Sequence, residues 1–430
     1  MSLPVNAAMT EKPRGLVRNV FIVSSGNFLE MFDFMVYGYY AVAIANAYFP
    51  SADKFASLMA SLAAFGAGFL MRPLGALILG SYLDRHGRRK GLLLTLALMA
   101  IGTFTIAACP GYMRIGFAAP LIVLLGRLVQ GLSAGVELGG VSVYLAEIAT
   151  PGHRGFFVSW QSASQQVAVI CAALIGVVAS SYLDAQQMSA WGWRVPFFVG
   201  CALIPFLIYL RTGLEETQAF LRQPVRHSQV EITRRTTAAW HIVLPGMMLV
   251  TMTTVSFYFV TAYTPTFGSA VLHLPMRDSL FVTLCVGILN FVVLPLGGAL
   301  SDRIGRKPLL FTCTALTILT SYPAMLWLTD MPSFARLLSV ELWLALVYAA
   351  YNGAMVAFLT EVVPPEIRTS GFSLAYSLAT AIFGGFTPFI CTWLIHATGN
   401  RAVPALWLSA AALLGACATF ILKPHEAAHS

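Results

Sequence analysis

The chain has 430 residues, of which 58% are hydrophobic and only 10% charged, and its mean hydropathy is +0.76. Soluble domains carry about a quarter charged residues, so this composition excludes an ordinary water-soluble fold and assigns the chain to lipid. The 26 Lys and Arg against 18 Asp and Glu give a net charge of +8, which in a membrane protein implies adhesion of one face to anionic lipid and not nucleic-acid binding.

The first 20 residues are polar with three basic side chains and run directly into an apolar segment without a small-residue cleavage site, so no removable signal peptide is expected. Runs long enough to cross a hydrocarbon core of about 30 Å lie at roughly 20–49, 56–82, 91–109, 118–146, 156–182 and 194–211. A second set lies at roughly 241–271, 279–300, 308–329, 336–360, 369–396 and 402–422. Twelve transmembrane helices result, six per half. The longest polar segment lies between the two sets and reads as a linker. The expected organisation is a six-helix bundle over 1–211, a cytoplasmic linker over 212–240 and a second six-helix bundle over 241–430.

Two stretches are written twice. Tyr144-Leu145-Ala146-Glu147, followed by Pro151 and Arg154, returns 214 residues later as Phe358-Leu359-Thr360-Glu361 with Pro365 and Arg368. Gly80, Asp84, Arg85, Gly87, Arg88 and Arg89 have counterparts 218 residues on in Gly298, Asp302, Arg303, Gly305, Arg306 and Lys307, while Lys90 has no basic counterpart in the copy. A repeat of half the chain length in so apolar a chain argues for two homologous membrane bundles side by side, an arrangement that moves solutes. Eighteen Lys and Arg fall on the side that holds both termini, against six on the other (Lys54, Arg114, Arg194, Arg277, Arg336, Arg401). Both termini are therefore expected in the cytoplasm. The seven cysteines have no paired spacing, so neither a disulfide framework nor a metal site is expected.

An ionised side chain near the bilayer centre costs about 2.5 to 3.5 kcal/mol even on mild scales, so one is kept only where it is paired or used. The first half keeps Glu30, Asp33, Arg72, Arg127 and Glu137; the second keeps only Glu341, near an outer end. Asn27, Glu30, Asp33 and Tyr37 stack on one face of the first helix, and Arg127, Gln130 and Glu137 share a side of the fourth. Gly131, Gly135 and Gly139 let another helix come close to the fourth. Arginine does not deprotonate, so a proton switch here must use Asp33, Glu30 or Glu137; the alternative is that Arg127 and a carboxylate merely lock two helices together. Arg72, about 12 Å inward from Gly80 along its helix, suits a substrate carboxylate or a structural partner on the first or fifth helix. Gln161, Ser164 and Gln165 on the fifth helix, Tyr348, Tyr351 and Asn352 on the tenth, and Thr254 with Tyr258 on the seventh offer neutral hydrogen-bonding groups to a carboxylated or hydroxylated solute, or serve as glue between helices. In the loops, Asp84 with Arg88 and Arg154, and Asp302 with Arg306 and Arg368, can form charge clusters that break when the bundles rock.

The Gly80–Lys90 loop and its copy resemble the signature of the major facilitator superfamily. The string from Gly26 through Asn27, Glu30 and Asp33 to Gly38, the run from Arg127 through Gln130 and Glu137 to Gly140, and Trp191-Gly192-Trp193-Arg194 with Pro196-Phe197 resemble its metabolite:proton symporter family. Gly139 to Tyr144, Ser159 to Gln166 and Tyr351-Asn352-Gly353-Ala354-Met355 resemble the bacterial citrate:proton symporters and related tricarballylate transporters within it. The resemblance implies an all-α facilitator fold of two pseudo-symmetric bundles in the inner membrane, working as a monomer without cofactor. It implies uptake of citrate or a close analogue with protons by alternating access. A dicarboxylate or oxoacid carrier, or a membrane sensor that binds the metabolite without moving it, is the alternative. No nucleophile elbow, phosphate loop or metal cluster is visible, so an enzyme is not expected.

Overall fold

The computed structural model describes residues 16–86, 88–135, 141–143, 145–146, 149–212, 239–364 and 367–423. Eight helices in it are long and apolar enough to cross a membrane, a further span is a bent pair, and three more are shorter apolar helices. The chain is a multi-pass membrane protein whose spans fall where the apolar runs lie. In order they are α1 (Leu16–Tyr39, continued by Ala41–Tyr48), α2 (Lys54–Leu70 with Arg72–His86), α3 (Arg88–Ala108), α4 (Ala118–Ala134), α5 (Arg154–Tyr182) and α6 (Val195–Thr212). The second set is α7 (Trp240–Val271), α8 (Met276–Ile304), α9 (Arg306–Asp330), α10 (Phe334–Val362), α11 (Arg368–Thr398) and α12 (Pro404–Ile421).

Their ends follow from local chemistry. The Asp53 carboxylate accepts from the Phe55 amide at 2.9 Å to start α2, and the Ser333 hydroxyl accepts from the Arg336 amide at 3.3 Å to start α10. Gly399 closes α11 in the left-handed conformation, φ 68°. Four spans are interrupted at depth. α1 bends by 72° at Tyr40. α2 tightens at Met71, whose amide reaches back only three residues to Gly68, just before Pro73, which has no amide to donate. α7 carries π-helical stretches at Phe259–Tyr263 and Phe267–Val271, and α11 carries one at Thr380–Gly384. Such interruptions recur at functional sites.

Glycines set how near helices lie. A Cβ at Gly131 would collide with the Gly68 carbonyl, and one at Gly135 with that of Arg72, so α4 presses backbone to backbone on α2. At one end of the first bundle, Tyr48 donates to the Ile106 and Cys109 carbonyls at 2.9 and 3.0 Å. The Arg194 guanidinium lies 4.3 Å from the Trp193 ring centroid and also donates to the Tyr48 oxygen. The Trp-Gly-Trp-Arg motif thereby ties α1, α3 and α6 together.

The seam between the first six and last six helices is closed at both ends. At the end with the basic loops, the first turn of α5 points its free amides at the other half: Gly155 and Phe156 donate to Asp302 at 2.8 and 3.0 Å. A carboxylate there satisfies orphan amides and favours the positive end of the helix dipole. Arg306 holds Asp302 at 2.7 Å and Glu361 at 3.1 Å. Gly155 and Gly298 meet beside this cluster with no room for a Cβ. At the far end the Phe55 ring stacks on His396, centroids 3.7 Å apart, and the Thr266 hydroxyl donates to the Gly38 carbonyl at 3.2 Å.

Of the expected loop clusters, the second is thus present in altered form. Asp302 and Arg306 pair, but the third member is Glu361. Arg368 instead donates to the Val363 carbonyl at 3.3 Å, because at the start of α11 its side chain folds back on the preceding loop. The Arg154 guanidinium does not bond Asp302; the backbone just after it does. The Asp84 and Arg88 side chains lie outside the described residues.

Removing the cap should open this end of the seam. In a background freed of native cysteines, Asp302→Ala is expected to raise labelling of a cysteine placed at Ser159 by a polar thiol reagent several-fold, measured as the initial rate on the purified, detergent-solubilised protein. Equal rates would mean that the cap does not hold the seam.

Candidate functional site

The first bundle contains two ionic groups, built on α1 from positions three residues apart. Glu30 reaches Arg72 of α2, with Oε1 2.7 Å from Nη2, and both side chains are buried. One turn further, Asp33 reaches α3 and α4: its Oδ2 accepts from the Thr103 hydroxyl and from Gln130 Nε2 at 2.6 Å, while Oδ1 has no partner. Gln130 turns its other face to Arg127, whose Nη1 donates to Gln130 Oε1 at 2.8 Å. Asp33 and Arg127 are therefore linked through an amide and not paired directly. The three-residue step from Arg127 to Gln130 places both side chains on one side of α4, and Gln130 is the one that faces α1.

Arg127 also donates to the Phe65 carbonyl at 3.4 Å, and no carboxylate among the described residues lies within salt-bridge distance of it. A buried charge without a counter-ion costs several kcal/mol unless something replaces water. Here aromatic rings do. The Arg127 guanidinium carbon lies 4.2 Å from the Phe34 centroid, 4.6 Å from Tyr37 and 5.2 Å from Phe65. That of Arg72 lies 4.6 Å from Phe69 and 5.0 Å from the same Phe34. A desolvated contact of this kind contributes about 2 kcal/mol. Two guanidinium groups, one paired and one free of carboxylate, thus share an aromatic box.

Tyr258 of α7 joins the box from the other half, its centroid 5.0 Å from Phe69 and 6.2 Å from Phe65. Tyr37 donates to the Ser61 carbonyl at 3.3 Å. On α5, Gln161 is buried with Nε2 unpartnered, its Oε1 accepting from Ser162; the Ser164 hydroxyl donates to its own helix, at the Gln161 carbonyl, and Gln165 is buried. On α10, Asn352 donates to the Tyr348 oxygen at 3.3 Å and keeps Oδ1 unpartnered. Tyr351 departs from this set: its hydroxyl donates to the Leu249 carbonyl at 2.9 Å and lies beside Gly415, so it ties α10 to α7 and α12. Thr254 donates within its own helix to the Thr251 carbonyl, and its side chain packs on Gly384. Glu341 is fully buried and not at a helix end. Asn27 and Glu137 lie outside the residues whose side chains are described.

Sequence reasoning found Tyr37 and Tyr258 but missed Thr103 and the phenylalanine rings. Thr103 is one of three threonines in an apolar run, and nothing in the spacing singles it out from Thr95 or Thr105. Phe65, Phe69 and Arg72 recur at i, i+4 and i+7, and Phe34 follows Glu30 by four; that spacing puts each ring on the face of its charge.

Residues 19–233 match the family described as "Sugar (and other) transporter", and residues 279–430 match "Major Facilitator Superfamily". The chain is 57% identical over 400 residues to a citrate-proton symporter of Salmonella typhi, covering 93% of this chain and 92% of that one. The chain belongs to the major facilitator superfamily. A citrate-proton symporter of Klebsiella pneumoniae is 55% identical over 405 residues, covering 94% and 91%. Among solved structures, a D-xylose-proton symporter superposes with a TM-score of 0.77 at 18% identity, covering 96% of this chain and 99% of the other, which establishes the fold. The facilitator fold places two six-helix bundles around a central axis, and the box with Tyr258 lies where they meet.

Gln130 holds both Asp33 and Arg127, so Gln130→Leu leaves two buried charged groups short of a partner. It is expected to cost about 1 to 3 kcal/mol of stability, seen as a lower thermal unfolding midpoint of the purified protein; an unchanged midpoint would contradict the bridging role.

Proposed function

We propose that the chain is a proton-coupled symporter that takes up citrate, or a close tricarboxylate such as tricarballylate, by alternating access. The identity of 57% and 55% to citrate-proton symporters across nine-tenths of each chain carries this reading. The site supports it chemically. A tricarboxylate needs fixed positive charge at its binding site, and the box holds two guanidinium groups whose planar forks match carboxylates. Arg127 is free of a carboxylate and takes the first carboxyl group of the cargo. Arg72 takes a second once Glu30 releases it.

Release of Arg72 is where protons enter. Protonation of Glu30 removes its charge and weakens its hold on Arg72, so the proton and the substrate each favour binding of the other, as linkage requires. Asp33, buried between Thr103 and Gln130 with one oxygen unpartnered, is the second proton-carrying group, and Glu137 is a third candidate. Gln161, Gln165, Tyr258 and Asn352 serve the cargo as neutral partners, and Ser164, Tyr37 and Tyr348 support the walls. Thr254 and Tyr351 act as packing residues. The charge clusters at the basic-loop end act as the gate that separates when the carrier faces inward.

In this reading the protein lies in the bacterial inner membrane as a monomer with both termini in the cytoplasm, where the basic loops face anionic lipid. The segment 212–240 joins a bundle of residues 1–211 to one of 241–430.

Reconstituted vesicles should accumulate labelled citrate when an inward proton gradient is imposed and lose accumulation when a protonophore collapses it. Arg127→Ala and Arg72→Ala are each expected to lower initial uptake at least about ten-fold, the scale of truncating one partner of a buried charge pair. Competition by unlabelled tricarballylate, isocitrate, succinate and 2-oxoglutarate ranks the cargo. Citrate uptake indifferent to the gradient, or outcompeted by a dicarboxylate at equal concentration, would overturn the proposal.

A further inference from the structure

Phe69 touches both the charge site and the opposite bundle. The ring is fully buried. On one side it faces the Arg72 guanidinium at 4.6 Å and packs on Phe34 with centroids 4.5 Å apart. On the other it meets Tyr258 of α7 at 5.0 Å, edge to face, and the backbone of α11, where a Cβ at Gly385 would fall 2.5 Å from the ring. Gly385 follows directly on the π-helical stretch of α11. The same side chain is thus a wall for a guanidinium in the first bundle and a contact surface for two helices of the second.

We infer that Phe69 is a positioning residue for transport, holding Arg72 in reach of the cargo while its outer edge seats α7 and α11. The inference rests on the proposed citrate site and adds a residue to it. Arg72 has two stable neighbours, the Glu30 carboxylate and the faces of Phe34 and Phe69. When Glu30 lets go, the rings keep the guanidinium at the same place instead of leaving it to follow the carboxylate or recruit water. Displacement of the ring would in turn move Tyr258 and the Gly385 backbone, so occupation of Arg72 and closure of the two halves are mechanically joined. A phenyl ring does this because its face attracts the cation while its edge packs on another ring. An aliphatic side chain of similar volume supplies only the packing.

The test uses the full chain in vesicles preloaded with citrate, with the half-saturating citrate concentration for exchange and the maximal exchange rate measured separately. Phe69→Leu is expected to raise the half-saturating concentration about thirty-fold, the span of a desolvated cation–π contact, and to slow maximal exchange as well. Phe69→Tyr keeps the ring and is expected to stay within about two-fold of wild type on both. Wild-type half-saturation in Phe69→Leu overturns the inference, and so does Phe69→Tyr impaired as strongly as Phe69→Leu, since that makes volume and not the ring face decisive. If Phe69→Leu is not recovered folded, Gly385→Ala crowds the same ring from α11 without deleting it; a raised half-saturating concentration supports the inference and an unchanged one overturns it. Absence of citrate exchange in the wild type would instead refute the citrate reading itself.

Discussion

Two guanidinium groups buried in the first bundle govern the rest of this molecule. A fixed positive charge away from water must be compensated, and the chain does it in two ways. Arg72 is compensated by a carboxylate, Glu30, and by two rings; Arg127 by an amide, a backbone carbonyl and three rings. A carboxylate is a strong partner that a proton can switch off. A ring is a weaker partner that no proton touches. In the proposed mechanism this contrast lets one arginine be released by protons while the other stays ready for an anion.

The helices that build this site are arranged around that requirement. α2 and α4 carry the arginines and lie against each other at Gly68, Gly131 and Gly135, where any side chain would separate them. The α2 interruption at Met71 occurs one residue before Arg72, just where its side chain must leave the helix for α1. Thr103 enters from α3 only because α1, α3 and α4 converge on Asp33. The second bundle contributes no buried arginine or lysine to the centre among the described residues; it contributes Tyr258, the Asn352 amide and the close backbone of α11. The labour is divided between charge in one half and shape in the other.

Much of the architecture was legible in the sequence, because apolar length and a half-chain repeat are properties of the chain itself. The charge inventory was legible for the same reason: an ion inside a membrane stands out against its surroundings. Pairing was not. Glu30 with Arg72 and Gln130 between Asp33 and Arg127 depend on which helices touch, and spacing along one helix does not determine its neighbours. Tyr351 shows the limit from the other side, since it shares a helical face with Asn352 and yet reaches α7, as a long side chain spans more than one direction. The aromatic box was written in plain spacing around each charge, but apolar rings in a membrane helix carry no contrast against their background.

The two ends of the seam are closed by unlike materials. One rests on Asp302, Arg306 and Glu361 against the amides of α5; the other on a stacked ring pair, a single hydroxyl and backbone contact. Dissolved electrolyte weakens the former by screening, with a range near 10 Å in about 0.1 M salt. It leaves the latter almost untouched, and cooling weakens that one instead, because the heat capacity of apolar hydration makes exposing rings to water less costly in the cold. Ionic medium and temperature are therefore separate handles on the same protein, each favouring exposure of a different mouth.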